Sequence, residues 1–141
     1  MSLYIKQLLA GRDFAKTDSF ASQMANFVYL IGDTEQRVCM VVDPAWDIPG
    51  IIEFADKEDM RLIGALVTHY HPDHIGGNIF GHSITGLAEL VSIRPVKVHV
   101  NELESSGVKQ VSGLSDSDIA QHRGGDDIHI GTIGVRLLHF A

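Results

Sequence analysis

Leu62-Ile63-Gly64-Ala65-Leu66-Val67-Thr68, followed without a break by His69-Tyr70-His71-Pro72-Asp73-His74, is the stretch that decides how this chain is read. The first part is a continuous apolar run of strand length. It predicts a strand buried on both faces, the habit of a sheet covered by helices. The second part places three imidazoles and a carboxylate in the pattern H-x-H-x-D-H where that strand stops. Ligands of open α/β sheets bind at the carboxyl ends of strands, so position and composition agree. A sequence of this composition produces such a string by chance on the order of two times in a thousand.

These residue types at this spacing point to metal chemistry. Two imidazoles one residue apart, His69 and His71, can converge on a single cation at ~2.0–2.1 Å each. Asp73 and His74 follow at once and can turn toward a second cation. A pair of adjacent metals lowers the pKa of a shared water and polarises a carbonyl or phosphoryl oxygen. Pro72 suits a rigid start to such a loop and Gly76-Gly77 a flexible exit. The plainer alternative is a polar surface loop whose histidines are incidental. Other metal-dependent classes with paired histidines after a strand, amidohydrolases among them, fit the compact Asp-His ending less well. Elsewhere, His82 in Phe80-Gly81-His82-Ser83 is a candidate pocket residue. His99 and His129 fall on predicted strands and His122 in a Gly-rich loop, placements that suit sheet-edge or surface residues better than ligands.

Working outward, Phe27 to Ile31 and Arg37 to Val42 are β-rich runs joined by the turn-like Gly32-Asp33-Thr34-Glu35-Gln36. Asp47 can cap a helix with Pro49 in its first turn, and Ile48, Ile51, Ile52 and Ala55 share one helical face. That helix gives out by Asp59 or Met60. Leu87 to Val91 predicts a helical turn or two, and Val96 to Val100 a half-buried strand. Asn101 is expected to cap a short helix through Val108, and 112–125 to be loop. Ile128 to Ile130 and Ile133 to Phe140 predict strands around Gly131-Thr132. The pattern is α/β, with no internal repeat and no linker, so residues 1–141 read as one domain.

Composition narrows the class further. Hydrophobic residues at 45% and charged residues at 21% suit a globular chain. The net charge of −7 argues against nucleic acid or an anionic membrane as the main partner, and not against cations. The single cysteine, Cys39, lies in an apolar run and reads as a buried structural thiol. No run approaches the ~18 apolar residues of a spanning helix, and the start lacks a secretory h-region, so a cytoplasmic location is expected.

The T-H-x-H-x-D-H string from Thr68 to His74 resembles the metallo-β-lactamase superfamily, and within it most the glyoxalase II branch. Val41-Val42-Asp43-Pro44 is similar to the family's first motif, and residues 20 to 139 follow the family's order of elements. The resemblance implies the N-terminal half of an αβ/βα sandwich, a mixed sheet covered by helices. It implies that His69 and His71 bind one metal and that Asp73 and His74 bind another. Asp73 would also be the catalytic residue that holds a metal-bound hydroxide attacking an ester, thioester or related bond. Zinc is the implied metal, two ions in the complete site, with iron or manganese accepted by similar donors. Asp43 resembles a strand-end aspartate that orients ligands from behind; a simple turn residue before Pro44 is the other reading.

The family's next motif typically reads H-T-P-G-H, and this chain reads Val135-Arg136-Leu137-Leu138-His139-Phe140-Ala141. His139 matches the first, non-ligating histidine. The resemblance therefore implies a truncated domain, a small-molecule substrate, and little turnover from a monomer. An apolar sheet face left bare would favour a homodimer. A non-catalytic metal-binding or self-associating half-domain is the alternative.

Overall fold

The computed structural model describes residues 2–68, 75–79, 82–84 and 86–137. In chain order the elements are β1 (Leu3–Leu9), α1 (Ser19–Met24), β2 (Phe27–Asp33), β3 (Val38–Val42), α2 (Ile48–Lys57) and β4 (Arg61–Val67). They continue with β5 (Gly77–Ile79), β6 (His82–Ile84), α3 (Leu87–Ile93), β7 (Lys97–Asn101), α4 (Ser105–Ser112), a 3-10 turn (Asp116–Asp118), β8 (Ile119–His122), β9 (Asp127–Ile130) and β10 (Ile133–Arg136). Six strands form one mixed sheet in the order β1-β2-β3-β4-β7-β8. β1, β2 and β3 are antiparallel neighbours, whereas β3, β4, β7 and β8 run parallel. The expected α/β fold with a mixed, helix-covered sheet is what the chain adopts.

β4 sits centrally and is buried on both faces as its apolar run predicts. Its pairing with β3 slips: Cys39 faces Leu62 while Met40 faces Gly64, which leaves Ile63 as an extra residue. Such a bulge resets the alternation of the strand. Ala65 and Val67 consequently enter the larger core, and Leu66 points to the opposite face. The larger core is roofed by helices. Ile48, Ile51, Ile52 and Ala55 of α2 join Ala21, Leu90 and Val108 there. α2 begins as anticipated, with Asp47 Oδ1 accepting from Gly50 N at 3.0 Å and Pro49 in its first turn.

The opposite face carries a smaller core, in which Ile128 and Ile130 of the β9–β10 hairpin pack on Val38, Met40 and Leu66. A buried isoleucine contributes roughly 1.5–3 kcal/mol, so the hairpin is a substantial cover. The face is thus only partly bare: Leu3 and Ile5, toward β1, remain more than half exposed, and Phe27 is exposed as well. Asp33 fastens the hairpin. Its Oδ2 accepts from Thr132 N at 2.8 Å and from Thr132 Oγ1 at 2.7 Å, and its Oδ1 accepts from Glu35 N at 2.8 Å.

Those bonds, the Thr132 hydroxyl foremost, hold the Asp33 carboxyl down to about 2, below its ordinary 3.8. A folded-state pKa below the unfolded one stabilises the fold wherever the carboxylate is charged. That contribution is complete above pH ~4 and lost as the pH falls toward 2. Urea unfolding between pH 5 and 2 should show a steeper acid loss in the parent than in Asp33→Asn; parallel profiles would refute the pin.

Several elements differ from the sequence reading. β1, α1 and the β5–β6 hairpin carry no signal that was read, and 112–125 is not loop throughout, because it contains the 3-10 turn and β8. β8 forms because it has the parallel edge of β7 to pair with, a long-range partner that local composition does not show. His122 therefore lies on a strand. Asn101 ends β7 and does not cap the next helix: its Oδ1 accepts from Leu103 N at 2.8 Å, and α4 starts only at Ser105. β10 ends at Arg136, and residues 138–141 lie outside the described residues. Cys39 is fully buried, which pushes its thiol up to about 11, as a structural cysteine requires. No helix among the described residues is long and apolar enough to cross a membrane.

Candidate metal centre

Parallel strands β3 and β4 end together, and Thr68, the residue before the His69–His74 string, follows directly. Val42 pairs with Leu66, and Asp43 N then donates to Leu66 O at 2.9 Å, carrying the ladder one step past the strand. The next step is made by a side chain. Asp43 Oδ1 accepts from Thr68 N at 2.8 Å, and Asp43 Oδ2 accepts a short bond from Thr68 Oγ1. A buried carboxylate thus grips both donors of the residue immediately before His69.

Holding Asp43 there has a conformational cost. Its φ is +53°, and Trp46 three residues on has φ +79°. Non-glycine residues in this region persist where the surroundings over-determine them. Here Ala45 and Trp46 are buried, Trp46 stacks on Phe20 with ring centroids 5.5 Å apart, and Asp47 Oδ2 accepts from Ala15 N at 3.1 Å. The β3–α2 loop is fastened to the N-terminal segment, and Asp43 with it. Asp43 is therefore both a turn residue before Pro44 and a carboxylate that ties Thr68 to the end of β3.

The far end of the segment is also held. Ile75 is fully buried in the larger core. Gly76 has φ +88°, and a Cβ there would sit 2.7 Å from the Gly86 backbone. A Cβ on Gly86 would meet Ile75 O at 1.9 Å, so only two glycines allow the chains this close. The exit expected to be flexible is instead packed. Sequence reading missed this clamp; its signal was Gly86 directly before the apolar start of α3.

His69, His71, Asp73 and His74 themselves lie outside the described residues, as does His139. His82 opens β6, where it pairs with Ile79; its proposed place in a pocket lies outside the described side chains. Among the described residues, no three His, Cys, Asp or Glu side chains gather as a metal site. His99 and His122 do meet, at 2.9 Å between ring nitrogens, away from the motif in sequence. The donor set that follows β4 in the sequence, three imidazoles and a carboxylate in six positions, fits a first-row divalent cation by its chemistry.

Fold and sequence together define a class: α/β chains in which a histidine–aspartate string directly follows a parallel strand of a mixed sheet. The chain belongs to the metallo-beta-lactamase superfamily, whose model matches residues 22–139. Its relatives include the hydroxyacylglutathione hydrolase of Synechococcus sp., 38% identical over 63 residues, covering 45% of this chain and 24% of that protein. The protein of the same name from Pseudomonas aeruginosa is 41% identical over 61 residues, covering 43% and 24%. The chain thus spans about a quarter of the length of these curated relatives. A solved metallo-beta-lactamase from Staphylococcus aureus has a TM-score of 0.66 at 20% identity, covering 98% of this chain and 34% of that one. That likeness is one of fold.

Proposed function

We propose that the chain is part of a metal-dependent hydrolase acting on an ester, thioester or related bond. The observation that carries this reading is the double anchoring of the His69–His74 segment, by Asp43 on Thr68 and by the buried Ile75 behind it. Anchored ends suit a segment whose side chains must converge, because ligand geometry tolerates little slack. The hydroxyacylglutathione hydrolase relatives favour a thioester-type substrate. His69 and His71 would hold one cation, and Asp73 with His74 another; zinc suits these donors, and iron or manganese can replace it. The cations, when bound, supply a water of lowered pKa and polarise the bond to be cleaved. Asp73 orients that water, and Asp43 keeps the segment in register with β4.

Zinc loading followed by elemental analysis, alongside hydrolysis of a generic thioester, tests this. Bound zinc that disappears in His69→Ala/His71→Ala is the expected result. A chain that takes up no metal after loading would sink the proposal.

A second reading, self-association as a metal-binding half-domain, is favoured by the partly bare sheet face with Leu3, Ile5 and Phe27 exposed. Light scattering should then show a concentration-dependent dimer, dispersed by Ile5→Lys. A monomer at all concentrations would dismiss it.

A further inference from the structure

A second group of titratable side chains lies on β7 and β8. His99 pairs with Leu66 across β4 and β7, and in a parallel ladder paired residues share a face; His99 therefore lies on the face of the smaller core. Asn101, two residues on and hence on the same face, pairs with His122. His99 Nδ1 is 2.9 Å from His122 Nε2, and the ring centroids are 5.1 Å apart with the planes tilted by 30°. With that nitrogen gap, little but the two ring radii remains between the centroids, so the nitrogens point at each other almost in line. This is the geometry of an N–H···N hydrogen bond. Two ligands of one tetrahedral ion, with bonds of ~2.0–2.1 Å, would stand further apart, at about 3.3 Å. On the far side of the second ring, His122 Nδ1 lies 3.9 Å from Asp126 Oδ2, and that oxygen is itself steadied by Arg123 N at 2.7 Å.

A neutral imidazole has one donor and one acceptor nitrogen, and a neighbour on one nitrogen decides the role of the other. Asp126 favours a proton on His122 Nδ1. His122 Nε2 is then the acceptor, His99 Nδ1 is the donor, and His99 Nε2 keeps a bare lone pair. We propose that His99, His122 and Asp126 form a one-proton relay across the β7–β8 edge. A proton reaching His99 Nε2 forms an N–H bond there and makes that ring an imidazolium. The N–H bond at His99 Nδ1 then breaks as one forms at His122 Nε2. His99 is left neutral with its proton on Nε2, and His122 carries the charge beside Asp126. One proton enters and one positive charge moves along the sheet face from β7 to the edge strand β8.

The surrounding charges set this direction. Burial first, then His122 and Lys97, hold the His99 imidazole below its ordinary value, so the charge does not rest there. Arg123 is paired with Glu102 at 3.5 Å, and on the hairpin Arg136 is paired with Asp127 at 3.0 Å. His129 is exposed, and β4 offers only the apolar Leu66 beside His99. Among the described residues, Asp126 is the carboxylate facing His122 that can balance the relayed proton. With His99 and His122 joined, a second proton on the pair is opposed by the first.

Nitrogen-15 NMR of the full chain between pH 8 and 5 tests the relay. The expected result is a single midpoint at which His122 becomes imidazolium while His99 stays neutral and moves its proton from Nδ1 to Nε2. In Asp126→Asn, a change at an exposed turn, the preference for a proton on His122 Nδ1 should weaken, and the Nδ1-protonated share of His99 at pH 8 should fall with it. In His122→Gln the His99 tautomer should no longer change through the same range. A His99 that itself becomes charged, that keeps its tautomer while His122 gains its proton, or tautomer populations indifferent to Asp126→Asn would each overturn the proposal.

Discussion

Asp73→Asn is expected to lower the hydrolytic rate of the metal-loaded protein by ~10²–10⁴, the range associated with losing a positioned proton acceptor. The substitution preserves size and removes charge. An amide offers one acceptor oxygen where a carboxylate offers two, and it is a poor ligand for a hard or borderline cation. Two effects should therefore appear together: the rate falls, and metal content drops by the share that Asp73 and His74 hold. Measuring both separates the roles. A lower rate at unchanged metal content would assign Asp73 to orienting the water alone. Unchanged rate and unchanged metal would remove Asp73 from the site altogether, and with it the reading of the whole segment.

Asp43→Ala is expected to weaken metal binding by roughly 10–100-fold, the usual consequence of removing a group that supports ligands from behind. The carboxylate accepts from both the backbone and the hydroxyl of Thr68, and alanine accepts from neither. It also sits at φ +53°, a region alanine adopts reluctantly. Asp43→Asn separates these causes. Asparagine tolerates that backbone region and retains one acceptor oxygen, so its affinity should fall between those of the parent and the alanine variant. The direct readout is zinc affinity by competition with a chromophoric chelator. Equal affinities for parent and Asp43→Ala would mean that the grip on Thr68 does not reach the metal ligands.

The two predictions draw on different sources. The proposal for Asp73 comes from the primary structure, because H-x-H-x-D-H behind a buried apolar run is rare and chemically specific. Asp43 was only half legible. Asp43-Pro44 after a strand announces a turn, and nothing local distinguishes a turn aspartate from one whose carboxylate reaches a residue 25 positions later. Gly86 shows the same limit. Its reason for being glycine is the carbonyl of Ile75, which reaches it only once α3 has packed against the end of the motif.

The elements divide along similar lines. β4 and α2 were readable since each carries its own signal, a continuous apolar run in one and a capped 3.6-residue periodicity in the other. β8 has the composition of a loop, because Gln121 and His122 have little strand propensity of their own; the edge of β7 makes them a strand. The bulge opposite Cys39 and Met40 was invisible for a related reason, since register exists only between two strands.

The sequence by itself therefore determined the α/β class and the family, and it names the four side chains proposed as metal ligands. These follow from local composition and spacing, which the chain carries wherever it goes. Tertiary structure alone decided that Asp43 grips Thr68, that the exit after His74 is packed, that a hairpin fastened by Asp33 covers much of the second face, and that His99 meets His122. Each of these is a contact between residues far apart in the chain. Their energies are short-ranged in space, and only the folded sheet brings the partners within reach.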